Sequence, residues 1–329
     1  MTDNPSDGHR DRSGGLVALG VLEIAGGCLC LALAALFVIV ELAQARSGQT
    51  HSHRSHQPGI FTILGLAVIQ IWLGAGSIQA RRWARALWVC VCGITVATGV
   101  MGLATVPALL TAIEGALAAD RAPLPPAALL VVKVATVAAL AVFLVAIPSL
   151  LFAFYRSPHV RRTCELRDPA PSWTDRCPLP VLALGLYCLF MGWSMLTWAM
   201  LGGVFPWFGS YLTGPVGAAA DLLGCGLWVL IAWRVYRLGR DGWWLALAWA
   251  ALAALSAALT VGHGDFSRVV AAEGLDARAA QAAGRLAASP TLRWAQLSHL
   301  LPLFLWIAWV RRYFGSATGA PPKQEPLPA

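Results

Sequence analysis

The sequence predicts an all-α, polytopic membrane protein with about eight transmembrane helices, arranged as two tandem four-helix repeats. Three observations lead to this prediction: an apolar composition, the length of the apolar runs, and residue strings that recur in the two halves. Of the 329 residues, 58% are hydrophobic and only 12% are charged. A soluble domain carries about 25% charged residues, so the composition favours an integral membrane protein.

The apolar runs are long enough to cross a membrane. A helix needs roughly 20 mostly apolar residues to span a hydrocarbon core about 30 Å thick. Because these runs are apolar throughout and do not alternate with polar residues, helices are favoured over barrel strands. The predicted spans are residues 16–42, 58–80, 86–112, 126–154, 180–204, 214–236, 243–262 and 292–312. An even number of spans places both termini on the same side.

Arginine residues between the apolar runs predict the orientation. The arginine-bearing connections contain Arg81, Arg82 and Arg85; Arg156, Arg161 and Arg162; Arg234, Arg237 and Arg240; and Arg311 and Arg312. With eight spans, all of them fall on one side, and positively charged connections stay cytoplasmic. We therefore expect a multi-pass protein of the cell inner (cytoplasmic) membrane with both termini in the cytoplasm. The net charge of +8 is explained by these topology signals. It predicts no nucleic-acid partner, because no basic stripe with interleaved aromatics occurs.

Similar strings recur in the two halves of the chain. The pairs are Leu16-Val17-Ala18-Leu19-Gly20 with Val181-Leu182-Ala183-Leu184-Gly185, Arg82-x-x-Arg85-x-x-Trp88 with Arg237-x-x-Arg240-x-x-Trp243, and Ala153-Phe154-Tyr155-Arg156 with Ala308-Trp309-Val310-Arg311. The last two pairs share one offset. Two four-helix units insert with the same orientation, so duplication predicts a pseudo-twofold axis along the membrane normal. Convergence of Leu-, Ala- and Arg-rich membrane sequence is the alternative.

The repeats divide the chain into five predicted segments. These are a disordered cytoplasmic tail (1–14), a first membrane repeat (15–156), a cytoplasmic linker (157–179), a second membrane repeat (180–314) and a second disordered cytoplasmic tail (315–329). Two further segments are expected on the outer side. They are a polar loop at 45–57 and a short amphipathic helix at 264–290 that packs at the membrane surface.

Ionisable residues within the spans are the candidate functional groups, because a charge in mid-bilayer is costly unless it is paired or hydrated. Lys133, Asp221 and His299 each lie about seven residues from the outer end of a span, or about 10 Å deep. Gln296 precedes His299 by one turn, so the four side chains could line a site that opens outward. Alternatively, Lys133 snorkels to the interface or pairs with Asp221. Glu23, near the cytoplasmic end of the first span, is either a proton relay or a neutral, hydrogen-bonded helix contact.

The sequence predicts no catalytic residue, cofactor or metal site. The 45–57 loop contains His51, His53 and His56, and imidazole groups suit transition metals, but no acid or cysteine stands close by. The linker offers three soft ligands, His159, Cys164 and Cys177, without the paired spacing of structural zinc sites. Phosphate-binding loops, dinucleotide turns and the common hydrolase motifs are also missing from the sequence.

The linker carries two distinctive strings, His-Val-Arg-Arg-Thr-Cys-Glu at 159–165 and Trp-Thr-Asp-Arg-Cys-Pro at 173–178. It resembles the linker of uncharacterised bacterial multi-pass membrane proteins, over about a tenth of the chain, and the resemblance implies no known activity. Three function classes stay open. They are transport of a small solute or ion, a scaffold or signalling role with a protein partner at the 156–178 linker, and a membrane-embedded enzyme. Transport ranks first, and the lipid bilayer is the expected surrounding partner.

Overall fold

The computed structural model describes residues 10–46, 57–118, 125–200, 202–263 and 300–314. Within these ranges, seven helices are long and apolar enough to cross a membrane. The prediction of an all-α, multi-pass membrane protein is therefore confirmed. The predicted loop at 45–57 and the predicted helix at 264–290 lie largely or wholly outside the described residues, as does the first part of the predicted eighth span.

The helices follow the apolar runs closely. Their bounds are α1 Ser13–Arg46, α2 Gln57–Ile78, α3 Arg82–Ala118, α4 Pro126–Ala141, α5 Ile147–Arg156, α6 Pro158–Arg167, α7 Leu179–Met200, α8 Gly214–Tyr236, α9 Arg240–His263 and α10 Leu300–Val310. A π-helical segment at Val142–Ala146 joins α4 to α5, so that the two form one span. Short 3₁₀ turns occur at Trp173–Arg176 and Arg311–Tyr313. Together α1, α2, α3, α4 with α5, α7, α8 and α9 account for seven of the predicted spans.

The outward faces of these helices are apolar. On α1, the exposed fraction is 66% for Leu22, 62% for Leu29 and 62% for Ile39. Contiguous apolar surface of this kind is rare on a soluble protein. Contact with lipid chains explains it.

Small residues allow the first two helices to pack closely. A Cβ atom on Gly74 would lie 2.7 Å from the carbonyl oxygen of Gly20, and one on Gly27 would lie 2.6 Å from Ile71 Cγ1. Small residues serve this purpose in membrane proteins, where no hydrophobic effect drives helices together. In the second half, α7 packs along α8 in the same way that α1 packs along α2, and α3 contacts both α5 and α7.

The turns that lead into α3 and α9 are alike. Ala80 and Leu238 both adopt a positive φ, of 50° and 57°, and each stands two residues before the first residue of its helix. This geometry sets Arg82 opposite Arg240, whereas the sequence strings pair Arg82 with Arg237. The two alignments differ by about one helical turn, so the turns do not reproduce the offset of the strings and duplication stays a prediction.

A β-hairpin connects α7 to α8. Strands β1 (Val204–Trp207) and β2 (Ser210–Thr213) pair antiparallel around Phe208 and Gly209. Both turn residues have positive φ, as in the tight hairpin turns that match strand twist. Their backbone N–H groups donate to the buried side chains of Ser256 and Thr260 on α9, each at 3.1 Å. The hairpin is therefore fixed to the bundle. The observed helix is correspondingly shorter than the predicted 180–204 span, since α7 ends at Met200.

Candidate functional site

A buried polar network joins α1, α2 and α5 inside the membrane-spanning part of the chain. The Tyr155 hydroxyl donates to Glu23 Oε1 at 2.9 Å. Because its one proton is used there, it accepts from Ser77 Oγ, also at 2.9 Å. Tyr155 is 0% exposed and Ser77 is 1% exposed. Glu23 Oε2 has no hydrogen-bond partner among the described residues, so the network retains one unused acceptor.

Trp88 of α3 closes one side of this network. Its ring stacks on Tyr155 with centroids 5.9 Å apart and planes 10° from parallel. The Trp88 indole nitrogen is buried and has no hydrogen-bond partner in the described part of the chain, yet it lies close enough to interact with the Glu23 carboxyl group. The Trp88 N–H and the Glu23 carboxyl group thus lie in one small region without a well-formed hydrogen bond between them, so Glu23 Oε2 can accept a proton, a cation or a small polar group.

The span that carries Tyr155 is irregular just before the site. Pro148 has no N–H, so Leu144, four residues earlier, lacks its usual intrahelical donor. The chain adopts the π-helical segment at this point, and Gly99 lets α3 approach the Leu144 carbonyl closely. Beyond it, Arg85 Nε donates to the Tyr155 carbonyl oxygen at 3.1 Å. π-Helical segments are frequent at functional sites and are points where helices bend.

The linker covers the arginine-rich end of α3. Asp168 accepts a hydrogen bond from the backbone N–H of Arg82 at 3.2 Å and pairs with Arg81 at 3.5 Å. A carboxylate at the N-terminus of a helix interacts favourably with the helix dipole and accepts a hydrogen bond from an N–H group that has no partner within the helix. Asp175 pairs with the Arg82 side chain at 3.2 Å. Two acidic side chains of the linker, Asp168 and Asp175, are therefore paired with arginines of the same chain.

The linker thiols, Cys164 and Cys177, are buried. Burial raises the pKa of Cys164 to about 11 and that of Cys177 to about 12, because a buried thiolate is poorly solvated. His159 Nδ1 accepts from the backbone N–H of Arg10 at 3.4 Å. No group of three metal-binding side chains occurs among the described residues, and His51, His53 and His56 lie outside them.

The predicted outer polar layer is only partly described. Asp221 is 2% exposed, its carboxyl group is hydrogen-bonded by the backbone of Val204, and its Oδ2 has no partner among the described residues. Lys133 lies on α4, which packs on α3. No ion pair of 4 Å or less joins Lys133 to Asp221 in the structure. Gln296 and His299 lie outside the described residues.

Of the predicted candidates, Glu23 is the one that the structure places in a developed network. Its partners Ser77, Tyr155 and Trp88 were not among the predicted candidates. Tyr155 stands beside Arg156, where an aromatic residue ordinarily indicates the membrane interface. The available signal was Glu23 itself, because a carboxyl group inside lipid needs donors from neighbouring helices.

Comparison of the chain with protein-family models, with curated proteins and with solved structures finds no match. The resemblance of the linker to that of uncharacterised bacterial membrane proteins stays a prediction.

Proposed function

We propose that the chain transports a small solute or ion across the membrane, and that Glu23 binds and releases a proton or another cation during transport. One observation carries the proposal: the half-buried Glu23 is bonded to the buried hydroxyls of Tyr155 and Ser77 among membrane helices, and its Oε2 makes no hydrogen bond to any described residue. Ionisable groups inside membranes are rare and mark ion or substrate pathways.

A purely structural contact would be expected to satisfy its polar atoms. Unpaired polar groups in a lipid environment cost several kcal/mol each. Glu23 Oε2 nevertheless makes no well-formed hydrogen bond to a described residue, since the neighbouring Trp88 N–H interacts with the carboxyl group only in poorer geometry. A bound cation or proton at Glu23 would satisfy the carboxylate oxygen. The π-helical segment supplies a bending point in the span that carries Tyr155, and transporters commonly use broken helices at their binding sites.

The two alternatives have less support. A scaffold acting through the 156–178 linker would need polar groups free for a partner, but Asp168 and Asp175 are already paired with α3 and its preceding turn. A membrane-embedded enzyme would need a nucleophile with an adjacent base. The network offers hydroxyl groups and one carboxyl group, without a histidine among the residues that form it.

Ion-jump currents from proteoliposomes on a solid-supported membrane test the proposal. Rapid steps in proton, sodium or potassium concentration should produce a current with the wild-type protein for at least one ion. Glu23→Gln removes the charge with little change in size and should reduce that current by at least about tenfold. Glu165→Gln, the same change on α6 outside the spans, where Glu165 pairs with Arg161, is the matched control and should leave the current intact. Equal currents from wild type and Glu23→Gln, or no wild-type current for any of the three ions, would contradict the proposal.

We further infer the finer topology. Eight spans with both termini in the cytoplasm, in an inner membrane, place every arginine-rich connection on the cytoplasmic side, in agreement with the distribution of positive charge. Extensive packing of α1 on α2, and correspondingly of α7 on α8, supports two related four-helix units. The eighth span would comprise α10 together with the residues that precede it.

A further inference from the structure

A cleft of about 580 Å³ opens on the arginine-rich side of the molecule, between the start of α9 and the end of α10. This α9–α10 cleft is lined chiefly by the following charged and aromatic side chains: Arg240, Arg311, Arg312, Trp243, Trp244 and Trp309. It is separate from the Glu23 network, which involves α1, α2, α3 and α5. Nothing proposed above for transport uses it.

The positive charge of the cleft is not neutralised by the described residues. No acidic side chain lines it. The nearest acid in sequence to Arg240 is Asp241, and Asp241 pairs with Arg234. Arg240 is exposed and makes no ion pair of 4 Å or less with another described residue. The cleft therefore attracts an anion.

Aromatic rings hold two of the guanidinium groups in place. The Arg311 guanidinium carbon lies 5.3 Å from the centre of the Trp243 ring, and that of Arg312 lies 4.5 Å from the centre of the Trp309 ring. Cation–π contacts of this kind reduce the mobility of long side chains. Arginine is well suited to phosphate because its planar group donates two parallel hydrogen bonds.

The position of the cleft indicates where its ligand comes from. Trp244 and Trp309 are exposed at the end of the bundle, and tryptophan is enriched at the level of the lipid headgroups. Basic pockets between helices on this side of a membrane protein bind anionic headgroups. A cleft in the range of about 300–1,000 Å³ fits a ligand of many atoms. The α9–α10 cleft is thus larger than a single phosphate ion requires.

We propose that the α9–α10 cleft binds the phosphate group of an anionic phospholipid, with the three arginines as its ligands and the tryptophans against the glycerol and upper acyl region. A free phosphate ion shares the same chemistry. The test therefore includes both sources.

Thermal unfolding of the full chain in detergent micelles measures the binding. Phosphatidylglycerol should raise the Tm of the wild type in a concentration-dependent way, whereas phosphatidylcholine and inorganic phosphate at equal concentration should not. Each arginine near a lipid surface contributes about fivefold in affinity, so Arg240→Gln with Arg311→Gln should weaken the apparent affinity by roughly 25-fold. Arg237→Gln is the matched control. Arg237 is exposed, lies 4.4 Å from the Trp233 ring and does not line the cleft.

Three results would overturn the proposal. They are equal stabilisation by phosphatidylcholine, equal stabilisation by inorganic phosphate, and a loss of affinity in Arg237→Gln as large as in the double variant. Arg311 contacts a core tryptophan, so the double variant can lose stability for another reason. Arg240→Gln alone avoids this difficulty and should weaken binding more than Arg237→Gln does, because Arg240 lines the cleft and Arg237 does not. High salt should weaken phosphatidylglycerol binding by the wild type, and binding insensitive to salt would also count against the proposal.

Discussion

Tyr155→Phe tests most directly whether the hydrogen bonds of the Glu23–Tyr155–Ser77 network stabilise the protein. The change removes one oxygen atom and leaves the ring that stacks on Trp88. Two hydrogen bonds disappear together, the one donated to Glu23 and the one accepted from Ser77, both 2.9 Å long. Hydrogen bonds between membrane helices contribute about 0.6 kcal/mol on average and up to about 1.7 kcal/mol. The expected loss of unfolding free energy is therefore about 1–3 kcal/mol.

Reversible unfolding in mixed micelles, with a denaturing detergent as titrant, measures this loss. Tyr236→Phe is the matched control, because the Tyr236 hydroxyl makes an exposed 3.0 Å hydrogen bond to the carbonyl of Trp173. It should change the free energy of unfolding by less than about 0.5 kcal/mol. A double-mutant cycle of Tyr155→Phe with Ser77→Ala should show a coupling energy of about 0.5–1 kcal/mol. Equal effects of the two tyrosine variants, together with strict additivity in the cycle, would refute the network.

Two further predictions concern the topology and the linker. A reporter fused after Phe314 should be cytoplasmic and one inserted at 45–57 should be outside, as measured by paired phosphatase and fluorescent-protein fusions; the reverse pattern would invert the orientation. Cys164 and Cys177 should react slowly with a maleimide at pH 8 until the protein is denatured, because burial raises the pKa of both thiols above the ordinary value of 9.0. Their folded-state pKa is raised, so unfolded thiols ionise first and stability should fall as pH rises from about 9 towards 11. Rapid labelling of Cys164 and Cys177 in the folded protein at pH 8, detected by peptide mass spectrometry, would contradict the predicted slow reaction.

The spans could be predicted because membrane insertion depends on local composition. The predicted 214–236 run matches α8, which begins at Gly214 and ends at Tyr236. The hairpin at 204–213 could not be predicted in the same way. It falls between the predicted spans 180–204 and 214–236, and it depends on hydrogen bonds to Ser256 and Thr260 about 50 residues further along.

For a related reason, only part of the candidate site could be predicted from the sequence. Depth in the membrane can be counted along one helix, but contact depends on which helices are neighbours. Lys133 and Asp221 share a predicted depth, yet α4 packs on α3 while α8 packs on α7, α9 and the hairpin. Glu23 was recognised from its charge alone. Its partners Ser77 and Tyr155 lie 54 and 132 residues away along the chain, and only the packed structure brings them together.

Glu23 is proposed to act in transport and not merely as a structural contact. The most direct measurement compares the ion-jump current of Glu23→Asp with that of Glu23→Gln, each divided by its folded fraction in the same vesicles. Aspartate keeps the carboxyl group on a shorter side chain, so it should retain a measurable current with an altered dependence on ion concentration. Glutamine should give at most about a tenth of the wild-type current. If both variants carry the wild-type current per folded molecule, Glu23 is a structural residue and the transport proposal fails.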